Sequence, residues 1–357
     1  MKTLKRALIT VLCLALTAVC LTGCHKKGEI AVKIGDVEFT SGYYACALVF
    51  ADTQARSKVE ASISDESEKA DIDYYKHKVE DTDYVEWVEK TALETLTNLG
   101  AVKALCKEAG FELDADTISL SKSNADYLWS TAGYSKLLEA NGVSQETFTS
   151  YMRDSFLTDK YFEHIYGKGG EKEISADKLL EQLKNNYALV NLIQVDTSSL
   201  SDDEKTDKKN QLAAYETALK SGAKGFEEIY LEYNNISADE HTHDTAEEGA
   251  LEPLDHHATV IGGSDTAYSS DYYEDAKAMA TGEIKVVTKD SSMALIVKQD
   301  ISADPYYIEN LDLTLRNDIS GDDYKKELTE YGKKLECDVN KSATGRFKVK
   351  KLVYPEA

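Results

Sequence analysis

The stretch ATGEIKVVTKDSSMALIVK, Ala280 to Lys298, holds two apolar runs, Ile284 to Thr288 and Ala294 to Lys298, on either side of a polar turn. Both runs are too short for a stable helix and both are bounded by turn formers, so they read as consecutive strands. Working backwards, LVNLIQV at Leu189 to Val195 gives another strand. Between these strands lie a helix from Asp202 to Ser221, a short helix from Gly225 to Tyr233, a polar loop from Asn234 to Asp255, and a short helix from Asp271 to Ala280. The whole is a small α+β unit.

Helical arms flank it. Downstream, a long helix runs from Pro305 to Leu335, and Arg346 to Val353 is a final strand candidate. Upstream, IAVKIGDVEFT alternates around a Gly35-Asp36 turn, and Ser41 is placed to cap the helix that follows. Ser57 to Asp83 is acidic and polar and reads as a mobile insertion. From Tyr84 to Ala109 apolar residues recur at intervals of three and four, and Gly110 stands where a C-terminal cap is expected. Further helices are expected at Asp114 to Trp129, Ser144 to Gly167 and Ser175 to Tyr187. An α+β unit between two helical arms points to an inserted domain.

The first residues carry Lys2, Lys5 and Arg6, then an apolar run from Ala7 to Val19, then Leu21-Thr22-Gly23-Cys24. This is the pattern of a signal peptide ending in a lipobox, with Cys24 as the lipidated residue of the cleaved chain. The implied location is the extracytoplasmic face of the cell membrane, held by lipid alone, since no later apolar run is long enough to span a bilayer. The chain has 41 basic and 64 acidic residues; loss of the three basic residues of the leader leaves 38, a formal charge of −26. Such a balance argues against a nucleic-acid partner. Cys46, Cys106 and Cys337 form an odd set that implies no disulfide framework; one pair with one thiol left over stays open, and their helical or apolar neighbours favour buried free thiols.

The order of these features resembles the extracytoplasmic foldase lipoproteins of the PrsA and SurA type. IAVKIGDVEFTSGYYACAL is similar to the start of their chaperone region. So is the succession of GVSQETFTSYMRDSF and SADKLLEQLKNNY before the first strand of the inserted unit. LKSGAKGFEEIYLEYN (Leu219 to Asn234) and the Ala280 to Lys298 segment are similar to parts of a parvulin-type peptidyl-prolyl isomerase domain. The resemblance implies an α+β protein: a mainly helical chaperone region with a small parvulin-like domain inserted. The divisions are residues 1–23 for the signal peptide, 24–187 for the N-terminal helical region, 188–301 for the parvulin-like domain, and 302–357 for the helix and strand that complete the chaperone region. The implied partners are unfolded or folding exported polypeptides; a homodimer stays open, and no cofactor is implied.

Active parvulins carry two cleft histidines, one on the first strand and one on the last. Here the first strand offers Asn191 and Leu192, and the last offers Leu295. Aligned on the closing segment, Lys277 falls where the family has a wall phenylalanine and Tyr268 near its methionine, with Met279 the remaining cleft candidate. The family's glycine-rich turn is reduced to Gly249-Ala250-Leu251. Prolyl isomerisation needs an apolar, partly desolvated pocket that favours the twisted amide. Replacing several cleft positions together therefore implies a weak or inactive isomerase, with an active one as the alternative.

The polar loop gathers His241, His243, His256 and His257 beside Asp244 and Asp255. Imidazole and carboxylate together suit zinc or a similar ion, which would make the chain a metal- or ligand-binding surface lipoprotein; a solvated acidic loop explains the same cluster. No phosphate-binding glycine loop, nucleophile elbow or metalloprotease helix motif is present. The 22 tyrosines suit either a groove for unfolded segments or half-buried helix faces.

Overall fold

The computed structural model describes residues 28–63, 69, 72–237, 241–242, 251–264 and 266–355. The expected signal peptide, Cys24, His243 and Gly249-Ala250 lie outside the described residues. The chain is an α+β protein that divides into two compact units, one made of residues 1–164 and 323–357, the other of 165–322.

The first unit opens with a hairpin, β1 (Ile30–Ile34) and β2 (Val37–Thr40), paired antiparallel with Ile34 opposite Val37. The two-residue turn needs a positive φ at its first position, and Gly35 supplies it at +56°. Helix α1 (Ser41–Ser62) follows, capped by the Thr40 hydroxyl, which accepts from the Tyr43 N–H at 3.3 Å. The cap is therefore one residue earlier than Ser41. A short hairpin, β3 (Lys78–Val79) with β4 (Thr82–Asp83), leads into α2 (Tyr84–Ala109), which ends at Gly110 with φ +65° as expected.

The segment read as a mobile insertion is ordered wherever it is described. Residues 57–62 extend α1, Val79 is buried, and Tyr74 and Tyr75 pack on the core beside Tyr84. Its charged surface concealed these few apolar anchors.

Helices α3 (Ala115–Ser130), α4 (Tyr134–Ala140) and α5 (Gln145–Tyr166) complete this part. Trp129, Phe148, Leu138, Cys46 and Val49 form one of its apolar cores. A second core, around Ile34, Phe39, Leu48, Trp87 and Leu96, joins α1 and α2 to the hairpin.

The second unit begins with α6 (Ala176–Asn186) and the long strand β5 (Tyr187–Asp196). Helix α7 (Asp202–Ser221) starts at a capping box in which Ser201 and Glu204 satisfy each other's backbone N–H groups, and α8 (Phe226–Asn234) follows. Then come β6 (Ala258–Gly262), α9 (Tyr273–Ala278), β7 (Ile284–Thr288) and β8 (Ser292–Gln299). The four strands form an antiparallel sheet in the order β6-β5-β8-β7. Alternate side chains of β5 and β8 point to opposite faces. Ile193, Val195, Met293 and Leu295 pack under Leu212 and Tyr215 of α7 and Ile229 of α8. Val190, Ala294 and Ile296 pack under Tyr273 and Ala276 of α9.

The helix expected from Pro305 to Leu335 is interrupted at Leu311, giving α10 (Pro305–Asn310) and α11 (Asp312–Gly332). At the start of α11, Arg316 is buried: it pairs with Asp312 at 2.7 and 2.8 Å and donates to the carbonyls of Tyr166 and Ile174 at 2.6 and 3.0 Å.

The chain then returns to the first unit, where β9 (Cys337–Val339) pairs antiparallel with β1, giving the strand order β2-β1-β9. The expected strand from Arg346 to Val353 is absent; Val349–Lys351 is a single 3₁₀ turn, with Phe347, Val349 and Leu352 on the core. These side chains find apolar contacts there, whereas their backbone is matched to no strand edge. Cys46 and Cys106 are buried and free; Cys337, expected to be buried, is free and exposed at the sheet edge. Among the described residues no helix is long and apolar enough to cross a membrane.

Candidate functional site

The six cleft candidates of the second unit do not share one surface. Leu192 and Met279 meet on the α9 face of the sheet with Val190, Ile261 and Ile296. Leu295 is fully buried on the opposite face, under α7 and α8. Tyr268 stands exposed at the margin, edge-on to Tyr187 at 6.0 Å. Lys277 donates to the Tyr273 hydroxyl at 2.8 Å and to the Asn185 carbonyl. Nearby, burial and then the Lys277 charge hold the Lys298 ammonium below its ordinary pKa. The α9 face is thus a buried apolar layer whose described sheet residues include no imidazole.

Asn191 has a different function in the architecture. It is 0% exposed in the middle of β5, where an unpaired carboxamide would cost about 1–3 kcal/mol. Its Nδ2 donates to Asp255 Oδ2 at 2.9 Å, and its Oδ1 accepts from Gln299 Nε2. The other oxygen of Asp255 accepts the His257 backbone N–H at 2.9 Å. A chain of hydrogen bonds therefore runs from the sheet to the histidine-bearing turn.

Beside that turn, His241 joins His257, so that two of the four predicted imidazoles form one cluster. His241 and His257 stack with ring centroids 5.2 Å apart and planes 13° from parallel. Tyr230 of α8 lies 4.5 Å from the His257 ring and Phe226 lies 6.2 Å from it. Glu227, one turn before Tyr230, brings a carboxylate to the same place: ligand atoms of Glu227, His241 and His257 all lie within 4.8 Å of one another. His256 is outside the set, 4.0 Å from Glu252. Glu227 was not singled out in the sequence, because it sits among ordinary first-turn acids of a helix and no periodicity relates it to His241.

The helical unit contains a cleft of about 600 Å³ between the end of α2, the start of α3 and the middle of α5. Phe111, Leu113, Ile118 and Leu157 give it apolar walls; Lys103, Lys107 and Arg153 make its rim mainly basic. Asp154 is buried there, accepting from Tyr43 Oη at 2.5 Å and pairing with Lys103 Nζ at 2.6 Å. Burial and the Asp154 charge raise the Tyr43 hydroxyl far above its ordinary pKa, so it stays a donor. Helix α3 exposes Ile118 (44%) at the cleft, and Leu120 (60%) and Tyr127 (61%) on its side turned away from Ile118. Leu120 and Tyr127 are seven residues apart, on one face of the helix.

Among solved structures the chain is similar to the foldase protein PrsA from Streptococcus pneumoniae, with a TM-score of 0.38 and 14% identity over 68% of this chain and 84% of that one. It is similar to the foldase protein PrsA from Lactococcus lactis, with a TM-score of 0.39 and 13% identity over 90% of this chain and all of that one. For PrsA from Bacillus subtilis the values are 0.29 and 17%, over 74% and 83%. No protein-family model matches the chain, and no curated protein matches it.

Proposed function

We propose that this chain is an extracytoplasmic chaperone of the foldase type that holds unfolded segments of exported polypeptides. The carrying observation is the cleft of the helical unit, with Phe111, Leu113, Ile118 and Leu157 as walls. Contiguous exposed apolar surface with a polar rim is the mark of a site that binds other chains. Apolar walls take side chains of any sequence, and the Phe111 ring adds broad contact. The basic rim of Lys103, Lys107 and Arg153 attracts the acidic groups and carbonyls of an extended segment.

In this reading Cys24 carries the lipid, residues 24–187 and 302–357 form the chaperone region, and residues 188–301 form a parvulin-like domain whose isomerase activity is weak or absent. The parvulin-like domain serves as a second client-binding surface.

The test is dilution of a chemically unfolded exported protein into buffer with and without the full-length chain, followed by light scattering. Suppression of aggregation is expected, and Ile118→Ser, at an exposed position of the cleft wall, should weaken it at least twofold without moving the unfolding midpoint. Equal aggregation with and without the chain would overturn the reading.

A further inference from the structure

We propose that Glu227, His241 and His257 form a divalent-cation site in the second unit, of the chemistry that takes zinc. Two imidazoles and one carboxylate are the donor set of three-ligand zinc sites, in which a further position is left for water or another ligand. Zinc bonds of roughly 2.0–2.2 Å place tetrahedral ligand atoms roughly 3.4 Å apart. The three donors lie within 4.8 Å of one another, so rotation of the exposed Glu227 side chain and small shifts of the rings close the set.

The surroundings are built for holding rings in place. Glu227, Phe226 and Tyr230 come from one helix, and the two aromatic rings flank His257. The Nε2 atoms of His241 and His257 are both shielded from solvent. The backbone of His257 is tied through Asp255 to Asn191, and Asn191 to Gln299, so its position is referred to the central strands. Supporting hydrogen bonds and an apolar shell of this kind set ligand geometry. The same relay accounts for a buried asparagine in the middle of an otherwise apolar strand. Bound metal would join the segment before β6 to α8, stabilising the folded unit because the unfolded chain has no such cluster.

The proposal is independent of the chaperone reading and is tested on the full-length protein after metal depletion with a chelator. Calorimetric titration with zinc chloride should give one equivalent bound, and the thermal midpoint should rise with added zinc. His241→Ala, His257→Ala and Glu227→Gln should each weaken binding roughly tenfold or more. His256→Ala should leave it unchanged. Glu227 is exposed, so Glu227→Gln keeps the metal-free melting curve and separates loss of a ligand from loss of fold. No heat of binding in the wild type, or equal loss in His256→Ala and His257→Ala, would overturn the site; the latter result would describe a diffuse histidine-rich loop.

Discussion

Tyr354 donates its hydroxyl to the buried carboxylate of Asp52 at 2.5 Å, across 302 residues of chain. The same carboxylate accepts from Tyr84 Oη at 2.9 Å and from Arg56 Nε at 2.8 Å, while the Arg56 guanidinium lies over the rings of Tyr354 and Tyr74 at 3.8 and 4.3 Å. Burial, reinforced by Asp52, raises the Tyr84 and Tyr354 hydroxyls well above their ordinary pKa, so both remain donors. Asp52→Asn removes the charge that Arg56 faces and should destabilise by about 3 kcal/mol. Tyr354→Phe loses one hydrogen bond to a charged group, about 1.5 kcal/mol or more. Urea unfolding measures both, and the ordering of the two losses is the outcome that checks the network.

Helix α2 approaches β1 at Gly100, where an added Cβ would lie 2.7 Å from Cβ and Cγ2 of Ile34. Alanine is favoured over glycine in a helix by about 1 kcal/mol, but overpacking a core of this density costs about 1–3 kcal/mol. Gly100→Ala should therefore lower the unfolding free energy. Pairing it with Ile34→Ala should give a double variant less destabilised than the sum of the two, because the contact with Cγ2 is then gone and only that with Cβ remains.

The Lys298 ammonium on β8 is held below its ordinary pKa of 10.5 by burial and by the neighbouring Lys277. A depressed lysine contributes full stability above 10.5 and loses it as pH falls through its folded-state value. At pH 7 the charged Lys298 thus opposes folding. Lys298→Met should raise the denaturant midpoint at pH 7, and the advantage over the wild type should shrink toward alkaline pH.

On the α9 side of the sheet Val190, Ile296 and Met279 are buried under α9 and only Leu192 is half-buried, with no described imidazole among them, so no open cleft receives a prolyl bond there. An X-Pro peptide incubated with the full-length chain should isomerise on the uncatalysed scale of roughly tens to hundreds of seconds. A protease-free assay reads this directly. Clear acceleration that disappears in Met279→Ala would assign an active isomerase to this face.

Much of the architecture was legible where local chemistry is strong. The Gly35-Asp36 hairpin, the Gly110 cap and the helix from Asp202 to Ser221 all stand where turn, cap and period signals put them. Elements that depend on distant partners were not. Cys337–Val339 is three residues long and becomes a strand only because β1 offers an edge, while the better-patterned Arg346 to Val353 is offered none. Strand β6 and helix α4 are short and unperiodic, and neither was foreseen. For the histidine cluster, composition located His241 and His257, whereas Glu227 could be joined to them only by the packing of α8 against the turn.

The pairing of β1 with β9 sets a timetable for the protein's own maturation. A chain synthesised from its amino end presents β1 first, and the edge that will receive β9 then waits while about 300 residues follow. An open strand edge of that kind is a template for wrong pairing. Residues 165–322 are contiguous, so that unit can close before Cys337 arrives and so shorten the loop that the last pairing must span. The helical unit is therefore the last part to become complete, and until then this protein is itself in the condition of the chains it is proposed to hold.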